Sequence, residues 1–452
     1  MNDHWVRNSI YYHIYPLGLC GAPAQNDFHS PPEERLKQIH AWFDHIQALG
    51  ANAVYLGPVF ESSSHGYDTA DYYQVDRRLG THETLACLSD ALHARGMRLI
   101  LDAVFNHVGR DFWAFRDVLQ HGQDSAYRDW FHQLRFGECS PYGDPFSYQG
   151  WDGHFSLVKL NLLHPHVRQH LFDAAAQWIR SYNIDGLRLD AADCLEPDFM
   201  QALARVTLSI KPDFWLMGEV VHGDYRRWAN PETLDSVTNY ESFKGLYSSL
   251  NDHNYFEIAH TLKRQFGEGG LYQDIPLYNF ADNHDVNRVA SLLNDPAQLF
   301  PLYLLLFTMP GVPSIYYGSE WALTGEKHNG SDAALRPALT LDEARTTAPQ
   351  RDLPAAIARL ARLRASSPAL YRGNYRELYV SPDQFAFLRE TGEERIIIAL
   401  NASAEPARIE LPAGTAAGTL CDTLNGETLA IDGASPILNL PPRWGRVLLL
   451  AH

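Results

Sequence analysis

The chain is short of cysteine, of positive charge and of long apolar runs. It has five cysteines in 452 residues. Cys20, Cys87, Cys139, Cys194 and Cys421 are scattered, odd in number and never paired at metal-ligand spacing. That pattern excludes a disulfide framework and predicts reduced thiols in a cytoplasmic protein. Lysine and arginine number 37 against 54 aspartates and glutamates, for a formal net charge of −17. A chain of that sign is not expected to take a nucleic-acid backbone as partner; a neutral or small substrate suits it. The longest apolar run, around Leu302 to Met309, is far too short to cross a bilayer, so no membrane partner is expected. The start, Met1-Asn2-Asp3-His4-Trp5, has no basic region followed by an apolar core, so no secretory signal is visible.

What is present is ordinary in bulk and specific in detail. A hydrophobic fraction of 45% and a charged fraction of 20% are those of a globular protein. Four polar clusters each close a short apolar run: Asp102 to His107, Arg188 to Asp190, Glu219, and Asp282 to Asp285. The runs before them, Arg98-Leu99-Ile100-Leu101, Gly186-Leu187-Arg188-Leu189, Phe214-Trp215-Leu216-Met217 and Pro276-Leu277-Tyr278-Asn279-Phe280, read as buried strands. Carboxylates at the ends of several parallel strands, with helices between, point to a (β/α)8 TIM barrel, which carries its chemistry at that end.

The alternation supports this fold class. Ile10 to Tyr15 reads as strand one. Ser30-Pro31-Pro32-Glu33 reads as a helix start, with Ser30 as cap, and Gly50 as its end. Ala53 to Leu56 is strand two, a helix follows Thr81, and Leu99 to Phe105 is strand three. From His107 to His164 no clear crossover helix is seen, and glycine, proline and aromatics are frequent, as expected of an inserted functional excursion. Alternation resumes with a helix from Pro165 to Tyr182. Strands four to eight lie near Gly186, Trp215, Ser236, Leu277 and Ser314, and a helix from Leu353 to Ala365 closes the barrel. After Tyr371 short alternating strands predict a C-terminal antiparallel β-sandwich. The expected division is a barrel over 1–106 and 165–370, an insertion over 107–164, and a sandwich over 371–452.

Three acids stand out: Asp190, Glu219 and Asp285. Cleaving an acetal needs one protonated carboxyl beside the leaving oxygen and one carboxylate beside the anomeric carbon. A third can stabilise charge on the ring. Arg188 lies two residues before Asp190 and points to the same side of the strand, where a fixed cation would keep Asp190 ionised. His107 and His284 can donate hydrogen bonds to sugar hydroxyls. Each element alone has a structural reading as a cap or an ion-pair partner; the ordered combination is what is specific.

That combination resembles the α-amylase family of glycoside hydrolases over essentially the whole chain. Asp102-Ala103-Val104-Phe105-Asn106-His107, Gly186-Leu187-Arg188-Leu189-Asp190, Gly218-Glu219-Val220 and Phe280-Ala281-Asp282-Asn283-His284-Asp285 match its four regions. The resemblance implies Asp190 as nucleophile, Glu219 as acid/base and Asp285 as transition-state stabiliser. It makes the excursion domain B, inserted after strand three. Gly66-Tyr67-Asp68-Thr69-Ala70-Asp71-Tyr72 resembles the segment whose tyrosine stacks under the sugar, so Tyr67 and Asp68 are assigned to substrate binding with His107, Arg188 and His284. Asp332 and Arg336 resemble an Asp–Arg pair touching the same subsite. Trp113, Tyr148 and Trp151 are further stacking candidates, with Phe146 and Phe155 as the small core of the insertion.

Val158-Lys159-Leu160-Asn161 is similar to the Lys-Leu-Asn form of the fifth region, typical of neopullulanases, cyclomaltodextrinases and maltogenic amylases. Two departures follow. The family often has an acidic residue where Cys194 stands. The N-terminal domain of those enzymes has no counterpart before strand one, so neither their dimers nor their narrow clefts carry over, and the oligomeric state stays open. Lys159 replaces a carboxylate that ligates calcium in many amylases, and an ammonium cannot ligate. No metal at that junction and no cofactor are therefore expected. The implied activity is retaining hydrolysis of α-1,4-glucosidic bonds in short or cyclic malto-oligosaccharides. A transglycosidase of the same family is the alternative, and a non-catalytic sugar-binding or transport-associated relative, which usually lacks an acid, comes last.

Overall fold

Eight short parallel strands build the centre of the molecule: β1 (Tyr11–Ile14), β2 (Ala53–Leu56), β3 (Arg98–Ala103), β4 (Gly186–Leu189), β5 (Trp215–Gly218), β6 (Ser236–Val237), β7 (Tyr278–Phe280) and β8 (Val312–Tyr316). In this computed structural model, which describes residues 5–415, 418–431 and 435–450, they run in the order β6-β5-β4-β3-β2-β1-β8-β7. The two ends of that order meet. Thr238 bridges Tyr278 in parallel, and Asn239 Nδ2 donates to Asn279 Oδ1 at 2.8 Å. The sheet is thereby a closed (β/α)8 barrel.

Large side chains fill the barrel. Tyr11, Tyr55, Ile100, Trp215, Met217, Tyr278 and Phe280 form one buried cluster, with Tyr11 stacked on Trp215 at 5.3 Å between ring centroids. The interior is a packed core, so chemistry is confined to the rim. A larger apolar layer separates the strands from the helices outside them.

Two local expectations need correction. The first helix does not start at Ser30. Residues 31–34 are not helical, a 3-10 helix covers Arg35–Trp42, and an α-helix covers only Phe43–Ala48. Pro32 disfavours helical backbone at Pro31. Asp27 also takes the Ser30 hydroxyl at 2.5 Å, which removes the cap. Gly50 does take the left-handed conformation, at φ 85°. The excursion after β3 holds a helix after all, Trp113–His121. Beside it lies an antiparallel sheet of His107–Gly109, His154–Lys159 and Gly150–Trp151. A Cβ on Gly109 would meet the Asp68 carbonyl oxygen at 2.5 Å, so only glycine lets this strand lie on the Asp68 loop.

Beyond the barrel, Asn374–Val380, Gln384–Glu390, Arg395–Asn401, Trp444–Leu450, Gly418–Asp422 and Glu427–Ile431 form a six-stranded antiparallel sheet. Its faces bury different partners. Phe385, Phe387, Ile396 and Ile398 join the large barrel core. Ala386, Leu388, Ile397 and Ala399 pack under the two-stranded sheet of Ala407–Glu410 and Ile437–Leu440. Burial of both faces explains the unbroken run Ile396-Ile397-Ile398-Ala399, which is not the alternation of a half-exposed strand. The apolar run of the sequence lies in the helix Leu299–Thr308, buried at every residue but Phe300. Gly445 lets it approach the sheet, since a Cβ there would meet Leu304 Cδ2 at 2.7 Å.

Candidate active site

Strand register sets the site. β3 and β4 pair so that Arg188 stands opposite Asp102. Both side chains point inward at the carboxyl end of the barrel and both are buried. The Arg188 guanidinium then serves three carboxylates. Its Nη1 donates to Asp102 Oδ1 at 2.9 Å and to Asp190 Oδ1 at 2.8 Å. Its Nη2 reaches Glu219 Oε2 at 2.8 Å. One rigid fork thus ties the acids that follow β4 and β5 to each other.

The residue after Asp190 makes a second link. Ala191 has left-handed backbone, at φ 44°, a conformation costly for alanine and frequent at functional sites. Its N–H donates to Glu219 Oε2 at 3.2 Å. The Tyr240 hydroxyl donates to Glu219 Oε1 at 3.3 Å and accepts from Asn283 Nδ2 at 3.2 Å.

Asp285 follows β7 on the other side. His284 Nε2 lies 2.8 Å from Asp285 Oδ2. Arg336 Nη2 donates to Asp285 Oδ1 at 2.7 Å and to Asp332 Oδ2 at 2.9 Å. The Tyr67 ring stacks on His284, with 5.3 Å between centroids. Its hydroxyl bonds His284 Nε2 and donates to Asp102 Oδ2 at 2.9 Å. His107 Nε2 lies 3.7 Å from Asp190 Oδ2. Asp68 is held by Ser64, whose hydroxyl donates at 2.5 Å. Asp68 Oδ1, His107 Nε2 and His284 Nδ1 are buried without a partner in the protein. Buried polar atoms of that kind normally have partners, so these are free to meet hydroxyl groups of a ligand.

The ten residues singled out by sequence therefore converge around the Arg188 and Arg336 clusters. Sequence reasoning did not anticipate Tyr55, whose hydroxyl donates to Asp102 Oδ2 at 2.8 Å, or Tyr240. Tyr55 carried no signal beyond its place in β2. Of the stacking candidates, Trp151 lies 5.4 Å from the His107 ring. Trp113 packs among Tyr127, Trp130 and His170. Tyr148 belongs to the core of the insertion with Phe146, because Arg110 and the Phe155 carbonyl engage its hydroxyl.

The electrostatics refine one expectation. Arg188 alone does not hold Asp190 in the usual carboxylate range. Burial pushes the Asp190 carboxyl well above it; Arg188 pulls the other way, and Glu219 supplies the largest repulsion. Burial is the first cause, and Arg188 does not offset it while it also faces Asp102 and Glu219. Asp285 goes in the opposite direction. Its partial desolvation is outweighed by His284, Arg336 and Arg188, which hold it well below the usual range. Burial pushes the His107 imidazole down to about 3, so it is neutral at neutral pH. The rim thus combines a fixed anion at Asp285, a buried Asp190 whose charge is disfavoured, and an uncharged His107. That set suits acid-assisted cleavage of an acetal.

A (β/α)8 barrel with these strand-end acids and a β-sheet packed on it is the architecture of a glycosidase. The chain belongs to the α-amylase family of glycoside hydrolases. Residues 34–356 match the family described as "Alpha amylase, catalytic domain", and residues 375–445 match "Maltogenic Amylase, C-terminal domain". A cyclomaltodextrinase from a Bacillus species is 33% identical over 450 residues, covering 93% of this chain and 77% of that one. The intracellular maltogenic amylase of Bacillus subtilis is 29% identical, covering 87% of this chain and 68% of that one. Among solved structures, the ligand-free cyclic α-maltosyl-(1→6)-maltose hydrolase from Arthrobacter globiformis superposes with a TM-score of 0.82 at 29% identity, covering 99% of this chain and 100% of that one.

Lys159 pairs with His107 across the insertion sheet, next to Asn106, whose Oδ1 is buried without a protein partner. With an ammonium at this junction, EDTA is expected to leave the melting temperature unchanged. A large fall on chelation, restored by calcium, would show that the junction binds the ion.

Proposed function

We propose that this protein hydrolyses α-1,4-glucosidic bonds of short or cyclic malto-oligosaccharides with retention of configuration. The observation that carries the reading is the single guanidinium shared by Asp190 and Glu219. It ties the two carboxyls to the width of one fork, and retaining enzymes need a close pair. Asp190 attacks the anomeric carbon and forms a glycosyl ester. Glu219 protonates the leaving oxygen, then deprotonates the water that cleaves the ester. Arg188, which donates to Asp190 Oδ1 at 2.8 Å, favours the anionic form of Asp190 that the attack requires. Asp285, held ionised by His284 and Arg336, faces the positive charge that builds on the ring. Tyr67 and His284 offer a flat surface to the sugar, and Asp68, His107 and Asp332 bind its hydroxyls.

The names of the relatives support a cyclic or short substrate, and the intracellular name of one supports a cytoplasmic location. The reading is tested with maltose, maltotriose, cyclodextrins, pullulan, trehalose and soluble starch. Efficiency per bond is expected to be at least about tenfold higher on small or cyclic maltodextrins than on starch, roughly 1.4 kcal/mol in transition-state binding. The insertion sheet brings His107 within 3.7 Å of Asp190, which supports a cleft walled on that side, and storage polymers need an open groove. Equal efficiency on starch would favour an ordinary endo-acting amylase. Proton NMR of the first products is expected to show the α anomer, and an initial β anomer would rule out the ester mechanism.

A further inference from the structure

At the opposite end of the barrel, under the amino ends of β7 and β8, a cavity of ≈ 40 Å³ opens between the barrel and the C-terminal sheet. Arg7, Arg372 and Arg389 line it with Gln273, Tyr371 and Tyr375, and no aspartate or glutamate does. In a chain with net charge −17 this is an unexpected concentration of guanidinium groups.

Arg389 is the central one. It is 1% exposed, and Arg364 behind it is 0% exposed. Neither pairs with a carboxylate among the described residues. Arg389 spends Nε on Asn374 O at 3.3 Å, Nη1 on Thr308 O at 2.7 Å and Nη2 on Gly373 O at 2.9 Å. A guanidinium has five N–H groups, so one remains on each Nη. Arg364 bonds Phe307 O at 3.1 Å and Leu370 O at 3.2 Å through Nη1 and Gly311 O through Nη2, while its Nε has no partner. Several of these carbonyls end the helices Leu299–Thr308 and Pro368–Arg372. Helix ends supply roughly half a negative charge each at most, which falls short of two whole cations. Burial with one cation beside the other works against charge on Arg389. A buried cation without an anion is costly, and an anion in contact with it offsets that cost.

The second observation is Tyr375. Its side chain lines the same cavity, is 4% exposed, and its hydroxyl finds no partner in the protein. A free donor and a carboxylate-free guanidinium therefore share a cavity with room for a few heavy atoms.

We infer that this cavity binds one tetrahedral oxyanion, inorganic phosphate or the phosphoryl group of a sugar phosphate, between Arg389, Tyr375 and the rim arginines Arg7 and Arg372. Arginine forks match phosphoryl oxygens. An anion there joins residues of the barrel to residues of the C-terminal sheet, and it lies away from the substrate rim. The inference is independent of the substrate assigned to that rim.

The test is calorimetric titration of the full chain with inorganic phosphate and with glucose 1-phosphate, at constant ionic strength in chloride buffer. Saturable binding with a Kd of roughly 1 mM or tighter is expected for at least one of them. A much tighter glucose 1-phosphate would identify the sugar phosphate as the source, and equal affinities the free anion. Tyr375→Phe, which removes one hydroxyl, should weaken binding about fivefold, as the loss of one hydrogen bond would. Arg372→Gln, at the exposed rim, should weaken it further, and both variants should keep wild-type hydrolysis. No saturable binding of either probe would overturn the inference. So would binding that both variants leave unchanged, which would be a generic salt effect.

Discussion

Asp190→Asn is expected to lower kcat on maltotriose or a cyclodextrin by at least about 10⁴-fold, while the protein stays folded. The amide has the shape of the carboxylate but cannot attack the anomeric carbon. The local ledger favours folding. Arg188 keeps Asp102 and Glu219 as partners. The substitution also removes one carboxylate from a site where burial and neighbouring acids already work against its charge. An unchanged or slightly higher melting temperature should accompany the loss of turnover. Activity above about 1% of wild type in a correctly folded variant would remove Asp190 from the nucleophile's role.

Arg188→Leu is expected to have the largest effect on stability. Arg188 is 3% exposed and holds Asp102, Asp190 and Glu219 together. Leucine leaves buried carboxylates without their cation, a loss of about 3–5 kcal/mol. Urea unfolding measures it directly. Asp190 sets the sign of its pH dependence. Burial already pushes its carboxyl well above the usual range, so as pH falls it protonates and no longer needs the cation, and the deficit against wild type should shrink on acidification. Arg188→Lys separates charge from geometry. An ammonium restores part of the stability but cannot reproduce the fork that reaches Asp190 and Glu219 at once. Its kcat should remain about 10²-fold down, the usual result of a small misplacement of reacting groups. A lysine variant with wild-type kcat would show that the fork does not set the spacing of the two acids.

Much of the fold was legible because its signals are local. Apolar runs of four or five residues ending in a carboxylate or histidine announced β3, β4, β5 and β7, and amphipathic stretches between them announced crossovers. The same strand ends carried the chemistry, so Asp190, Glu219 and Asp285 could be named with their neighbours. Local signals mislead where another local effect competes with them. Pro31-Pro32 and Asp27 moved the first helix start to Arg35. The aromatics and glycines of the insertion hid the helix Trp113–His121.

Neighbours along the chain set the periodicity of the strands and the types of side chain at their ends. Which groups share a partner is settled by the tertiary structure. That Arg188 serves three acids depends on the register of β3, β4 and β5, and that Tyr55 reaches Asp102 depends on the pairing of β2 with β3. It also decided which polar groups leave water. Arginine is a residue type of the surface, yet Arg389 in the strand Gln384–Glu390 lies buried beside Tyr375. Register and burial join residues tens to hundreds of positions apart. The dielectric surroundings that govern charge in both places exist only once the chain has closed around them.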